Sequence, residues 1–401
     1  MKRNLTFITL LCLSTLTSAA SLEADKRMMI EAQHSTLKSS SIVDKTDQEF
    51  SARDLNSVYG NIGFDLSLFD INFKSNAYFN VSESSLYANQ EQAVQNTIFP
   101  TVIVTRDLFK GEGLQQTGED RTQYLINQLE WEYGDSELKF YAGRMWIDFG
   151  SGKYFNPLNP FKSSQLLSNQ LGVQQAVDGL RWEIARDPKL KLHIYLLADR
   201  RFEGYREKIT RTAMIRGEWT INEKTKLNYI LGEDQQRHKY GFETAYTGDI
   251  FDFYMQLMRY TKRLDLEEGE SVDQNHALVG TVIKFSPEWS LSLEAGKNHY
   301  DDRLEENNEM ALSFIPIENY GFAKLARALG ENQYEASVSY LADMDSDFNY
   351  TKFEISWNAY KNITLRYFTA FTSDTEINEL NNAAHAAYPE IRHAMAIRVL
   401  F

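Results

Sequence analysis

Beyond residue 57 the chain alternates apolar and polar side chains with a period of two. Between 58 and 68, Val58, Ile62, Phe64, Leu66 and Leu68 alternate with Tyr59, Asn61, Asp65 and Ser67. Between 71 and 82, Ile71, Phe73, Ala77, Phe79 and Val81 alternate with Asn72, Lys74, Asn76 and Asn80. Successive side chains of a strand point to opposite faces, so each run predicts a strand with one apolar and one polar face. Comparable runs recur at 98–106, 122–133, 136–146, 176–186, 189–199, 210–220, 225–233, 240–247, 250–260, 274–285, 289–297, 309–317, 332–342, 348–357, 362–371 and 390–401, eighteen in all. Alternating segments of roughly ten residues separated by turns are the mark of strands that cross a membrane. Backbone polar groups in lipid must be satisfied within the protein, and a chain without long apolar helices can do so only as a closed barrel. The expected fold is all-β, a transmembrane antiparallel up-and-down barrel of about 16–18 strands over residues 57–401.

Such a barrel, with both chain ends on one side, needs an even number of strands, short turns on that side and long loops on the other. Counted back from the C-terminus, the turns at Gly134-Asp135, Asp187-Pro188, Ile221 to Lys224, Gly248-Asp249, Ser286 to Glu288 and Asn358 to Lys361 share the C-terminal, periplasmic side. The long connections at 147–175, 261–273, 298–308 and 372–389 share the other. Three connections depart from this scheme: a tight outer turn at Phe69-Asp70, and longer inner links at 83–97 and 318–331, where Tyr320 to Leu329 is predicted as a short helix. Trp131, Trp182, Trp219, Trp289 and Trp357 lie beside the short turns, as expected where aromatic rings gather at a membrane interface.

The N-terminus reads differently. Met1-Lys2-Arg3, an apolar stretch from Leu5 to Leu16 and the small residues Thr17-Ser18-Ala19-Ala20-Ser21 have the layout of a secretory signal peptide, assigned to residues 1–20. Residues 21–56 are polar and mixed in charge, and are expected to form a periplasmic extension with a short amphipathic helix over Leu22 to Leu37. The only cysteine, Cys12, lies inside the signal, so the exported chain can form neither a disulfide nor a thiolate metal site. Loss of Lys2 and Arg3 leaves 40 basic against 56 acidic residues, a net charge of −16 that argues against nucleic acid as a partner.

Candidate chemistry concentrates in one stretch. Ala142-Gly143-Arg144-Met145-Trp146 ends a strand, and Phe149-Gly150-Ser151-Gly152-Lys153-Tyr154-Phe155-Asn156-Pro157-Leu158-Asn159-Pro160-Phe161 follows. The returning strand carries Val177-Asp178-Gly179-Leu180-Arg181-Trp182. Two Asn-Pro pairs restrain the backbone while Gly150 and Gly152 permit sharp reversals. A stiff loop beside Arg144, Asp178 and Arg181 makes a charged constriction; alternatively, the arginines pair with Asp178 and only hold adjacent strands in register. The stretch from Gly143 to Trp182 resembles the porin-like and alginate-export-like outer-membrane barrels, in which a Gly-Arg strand end leads through a Gly-rich, Asn-Pro loop to an Asp-Gly-x-Arg strand. That resemblance implies a barrel of eighteen strands or so, with this loop folded inward to narrow a pore. The candidate constriction or solute-binding residues are then Arg144, Lys153, Asn156, Asn159, Asp178 and Arg181. The final residues Met395, Ile397, Val399 and Phe401 fall two apart and resemble the terminal strand that the barrel-assembly machinery reads.

Other chemistry is sparse. Asp343, Asp345 and Asp347 with Glu354 echo a calcium loop, but Phe348 stands where that loop needs glycine, so a polar hairpin tip is expected and no metal. No nucleophile elbow, zinc-binding His-Glu-x-x-His pair or cofactor motif is present, and the scattered histidines argue against an enzyme; His193 and His276 are expected as ordinary lumen lining. Basic and acidic side chains nearly balance along the inward register, so the pattern favours neither ion sign. The expected role is an outer-membrane channel for small hydrophilic solutes. Its partners are membrane lipid, lipopolysaccharide bridged to acidic outer loops, and the assembly machinery. An exporter of an anionic polysaccharide and a structural or adhesive barrel are the alternatives.

Overall fold

The computed structural model describes residues 24–38, 53–68, 71–84, 112–117, 120–152, 156–159, 176–203, 206–234, 237–263, 271–299, 318–330, 333–345, 349–373 and 391–400. The chain begins with β1 (Ala24–Lys38), β2 (Arg53–Leu68), β3 (Ile71–Ser84), the short β4 (Glu112–Thr117) and β5 (Asp120–Gly134). β6 (Leu138–Trp146) and β7 (Ala176–Asp187) flank the long Asn-Pro connection. The far wall comprises β8 (Leu190–Glu203), β9 (Arg206–Asn222), β10 (Thr225–Asp234), β11 (Arg237–Thr247), β12 (Phe251–Arg263), β13 (Ser271–Lys284) and β14 (Trp289–His299). β15 (Asn319–Leu329), β16 (Tyr334–Asp343), β17 (Asn349–Tyr360), β18 (Ile363–Thr372) and β19 (Ile391–Leu400) complete it.

Eighteen of these strands are staves of one closed antiparallel ring, in which β3 pairs directly with β5 and β1 pairs with β19 from Met29↔Leu400 to Lys38↔Ile391. Closure leaves no open edge, which is the condition for a sheet to survive in lipid. The nineteenth strand, β4, is not a stave. It lies against the first part of β5, Glu112↔Leu125 to Thr117↔Asp120, beyond the stretch of β5 that β6 occupies.

This ring corrects the reading of the N-terminal region. Residues 24–38 are neither a helix nor an extension outside the barrel; they are its first stave, hydrogen-bonded to β2 and β19 on its two sides. The stave barely shows in sequence because its sides are less sharply divided than those of later strands, with Glu31 and Gln33 facing the lumen beside Ala32 and Ile30. Adding one stave at the start also reverses the sense of the first hairpin. The two-residue connection between β2 and β3 thereby falls at the C-terminal end, and the long connection after β3 at the other end. The predicted helix at 320–329 is the stave β15, which puts a short turn at Gly330 at the C-terminal end. The expected strands at 98–106 and 309–317, the signal peptide and Phe401 lie outside the described residues.

Alternation separates the two faces of the wall. On β9, Thr212, Met214 and Arg216 are buried on the lumen side while Ile215 and Trp219 are exposed on the outside. The same outward set includes Leu196, Leu231, Phe242, Leu257, Val279, Ile355 and Ile397, an apolar surface suited to hydrocarbon. Trp131, Trp219 and Trp357, with Tyr133, Phe285 and Tyr360, form an exposed aromatic girdle at the turn end. The turns there are closed by side chains: Asp135 accepts from the backbone N–H of Leu138 (3.0 Å) and Glu137 (2.8 Å), Asp187 from Lys189 (2.8 Å) and Asn222 from Lys224 (2.9 Å). The N–H groups of Leu138 and Glu137 hold the Asp135 carboxyl below the usual carboxylate range.

Candidate functional site

Among the described residues, one cluster of buried apolar side chains lies inside the barrel against part of its wall. Tyr141, Met145, Ile147, Phe149, Leu158, Val177, Tyr195, Leu197, Met214, Ile230, Met258 and Tyr260 form one buried cluster. Ile147, Phe149 and Leu158 belong to the connection after β6; the rest belong to the inner face of β6 to β12. The described residues of the connection, 147–152 and 156–159, therefore lie inside the lumen against staves from β6 to β12. Each of its three buried apolar side chains contributes roughly 1.5–3 kcal/mol to holding it there.

Particular contacts mark its path. Phe149 packs on Tyr195 of β8, with ring centroids 6.5 Å apart, and the guanidinium of Arg216 on β9 lies 5.5 Å from the Phe149 centroid. The hydroxyl of Tyr260 on β12 donates to the carbonyl of Pro157 at 3.1 Å. Leu158 reaches β11 at Gly241, where a Cβ would lie 2.6 Å from the leucine Cδ2. The backbone N–H of Ser151 donates to Glu243, also on β11.

The six residues singled out by sequence divide into groups. Arg144 and Asp178 face each other in register and form a bidentate pair, Nε to Oδ1 at 3.0 Å and Nη2 to Oδ2 at 3.2 Å. They are 4% and 1% exposed, and fall on the opposite register to Met145 and Val177, which join the lumenal cluster. The pair joins β6 to β7 in register. The neighbouring rung pairs Gly143 with Gly179. A side chain at Gly143 (φ 114°) would strike the carbonyl oxygen of Leu129 at 2.2 Å, and one at Gly179 that of Leu196 at 2.3 Å. The Gly-Arg and Asp-Gly motifs are thus two halves of one cross-strand unit at the point where the chain leaves the wall.

Asn156 and Asn159 serve the segment itself. The Nδ2 of Asn156 donates to the carbonyl of Phe149 (2.6 Å) and that of Asn159 to the carbonyl of Ile147 (2.9 Å), tying the outgoing and returning arms together. Gly150, at φ 86°, makes the reversal between them. Lys153 lies outside the described residues.

Of the six, Arg181 lies on the lumen side of β7, in register with Tyr141 and Tyr195. Its guanidinium lies over the Tyr141 ring, 3.6 Å from the centroid, its Nε has no hydrogen-bond partner, and among the described residues it makes no ion pair. Beside it on the inner face stand Tyr195, His193 and Arg216. His193 stacks on Tyr195 at 6.1 Å, lies 3.8 Å from Glu183 and has neither ring nitrogen hydrogen-bonded. Arg216 is engaged, donating from Nη2 to Glu218 (2.9 Å) and to Asn228 Oδ1 (3.1 Å). The patch under the segment thus offers guanidinium and imidazole nitrogens and aromatic faces, with carboxylates next to them. Elsewhere several lumenal charges are paired: Lys74 and Lys139 with Glu132, Lys352 and Arg366 with Glu354, and Arg398 with Glu31. His276 bonds Asn298, and Asp343 accepts from the Asp345 N–H (2.9 Å).

Missed from sequence were the seat of the segment, namely Glu243, Asn228, Gln256, Tyr260 and Gly241, and the aromatic partners Tyr141 and Tyr195. The one local hint was Gly241, a glycine on the inward side of a strand, a mark of close approach by other chain.

No protein-family model matches this sequence, and no curated protein sequence matches it. Solved structures do. OccAB2 of Acinetobacter baumannii superposes with a TM-score of 0.59 at 11% identity, over 94% of this chain and 98% of that one. OccK2 (OpdF) of Pseudomonas aeruginosa, solved in complex with glucuronate, gives 0.58 at 9% identity, over 94% and 98%. A BenF-like porin of Pseudomonas fluorescens Pf-5 gives 0.60 at 9% identity, again over 94% and 98%. At such identities the likeness is one of architecture: this chain shares the fold of these barrels, a closed antiparallel ring of eighteen staves.

Proposed function

We propose that this protein is an outer-membrane channel for small hydrophilic solutes, and that the segment after β6 sets the width and selectivity of the passage. The observation that carries this reading is the seat of the described residues 147–152 and 156–159 inside the barrel, against β6 to β12. Eighteen staves enclose more space than side chains alone fill, as in barrels of 16 to 18 strands with aqueous channels. A segment lying against part of the wall narrows that space. Arg181, stacked on Tyr141 beneath the segment, is the group proposed to meet a passing solute first. A mixed patch of cations, carboxylates and rings suits solutes that combine a charged group with an apolar face, and the glucuronate found in OccK2 supports a carboxylate among them.

In this reading the turn end faces the periplasm, the exposed apolar wall meets lipid, and the acidic loops bind lipopolysaccharide through divalent cations. Met395, Ile397, Val399 and Phe401 are proposed as the signal read by the assembly machinery; Met395 and Ile397 lie on the outward face, 64% and 44% exposed. The test is single-channel recording from refolded mature protein in planar bilayers, with selectivity read from the reversal potential in a salt gradient. Stable open steps are expected. A correctly folded barrel that stays silent would falsify the channel reading and favour a structural or adhesive one.

A further inference from the structure

Apolar contact holds the inward segment against the wall, but it is non-directional and permits sliding. Directional bonds to the wall fix its position: the Tyr260 hydroxyl holds the Pro157 carbonyl, and a carboxylate holds the Ser151 arm. Glu243, on the inner face of β11, is 1% exposed. It accepts from the Nδ2 of Asn228 on β10 (2.6 Å) and from the Nε2 of Gln256 on β12 (2.6 Å). Its third donor is the backbone N–H of Ser151 in the segment. A carboxylate removed from water needs donors on its lone pairs, and bonds to an ionised acceptor are about twice as strong as neutral ones. Two donors come from the neighbouring staves and stay in place when the segment moves; the third leaves with it.

The wall donors are themselves oriented. Asn228 presents its nitrogen to Glu243 because its oxygen accepts from Arg216, whose guanidinium is held by Glu218. Gly241, two residues before Glu243 on the same face, leaves the space that Leu158 fills. Position along the wall and depth into it are therefore set within a few residues of one strand.

We infer that Glu243 is the latch of the inward segment, a positioning residue that fixes how far the segment closes the lumen by holding the Ser151 N–H. The latch itself rests on geometry; its effect on conduction rests on the channel reading above. The experiment uses refolded full-length mature protein carrying Glu243→Ala, Glu243→Gln or Ser151→Pro, each confirmed as folded by its heat-modifiable gel mobility. Hydrogen exchange read by mass spectrometry on the peptide spanning 147–159 reports the segment directly. Exchange there rises about tenfold or more in Glu243→Ala, as loss of a charge-assisted hydrogen bond implies, while peptides from β12 and β13 are unchanged. Glu243→Gln, which keeps a carbonyl acceptor, falls between the two. Ser151→Pro removes the donor from the segment side without touching the wall, so it reads the latch even where the Glu243 variants refold poorly. In bilayers, Glu243→Ala and Ser151→Pro give larger and noisier open steps. Faster exchange with parent and variants all silent keeps the latch and rejects the channel. Exchange and step size both at parental values in folded Glu243→Ala and Ser151→Pro overturn the latch.

Discussion

Replacing Arg144 by methionine separates the two roles that sequence allowed for this residue. The side chain is 4% exposed and its partner Asp178 1%, so solvent can rescue neither. They occupy one of the last rungs between β6 and β7, two positions before the final pair, Trp146↔Ala176. Removing one member of a buried pair leaves an uncompensated charge and costs about 3–5 kcal/mol, more than the pair contributes over an apolar replacement. Arg144→Met should therefore lower the guanidinium midpoint of the barrel in phospholipid vesicles, followed by tryptophan fluorescence, by an amount equivalent to about 3–5 kcal/mol. Adding Asp178→Leu should recover part of that loss, because the stranded carboxylate goes with it; both residues keep other polar partners, so recovery is incomplete. The fraction of Arg144→Met that folds should conduct with parental step size and selectivity. Parental stability combined with a shifted reversal potential would refute the assignment and return Arg144 to the pore.

Arg181 should behave in the opposite way: Arg181→Gln leaves the unfolding midpoint within about 1 kcal/mol, as expected for a group with no ion pair, and moves the reversal potential toward cation preference. Deleting residues 24–38 should abolish the heat-modifiable folded band, since β2 and β19 would each expose an unpaired edge to lipid; a folded, conducting truncation would place the barrel start elsewhere. Gly241→Val should enlarge the open steps at a cost of about 1–3 kcal/mol, because its Cβ would lie 2.6 Å from Leu158 Cδ2 and 2.8 Å from Met258 Sδ. Lipids brominated near the headgroup should quench the fluorescence of refolded protein more than lipids brominated near the chain ends, given the exposure of Trp131, Trp219 and Trp357 at the turn end; equal quenching at both depths counts against the girdle.

The period-two pattern by itself determined the fold class, because a wall with lipid on one side and a lumen on the other writes its two faces into every second residue. It also located most staves from 122 onward, and turn chemistry at Asp135, Asp187 and Asn222 marked the closed end. The same rule explains what escaped it. β1 carries Glu31 and Gln33 inward beside few strongly apolar outward residues, and β15 mixes Lys324 and Arg327 with alanines, so neither has the contrast that a single strand needs to declare itself. Both became staves because a ring of eighteen has to close, which is a property of all strands together. The Gly-Arg and Asp-Gly motifs were legible as a unit, yet whether Arg144 faced a solute or its neighbour depended on register across β6 and β7. The seat of the inward segment joins residues 92 positions apart, Ser151 and Glu243. Only the curvature of the closed sheet brings β11 to meet a loop that leaves from β6.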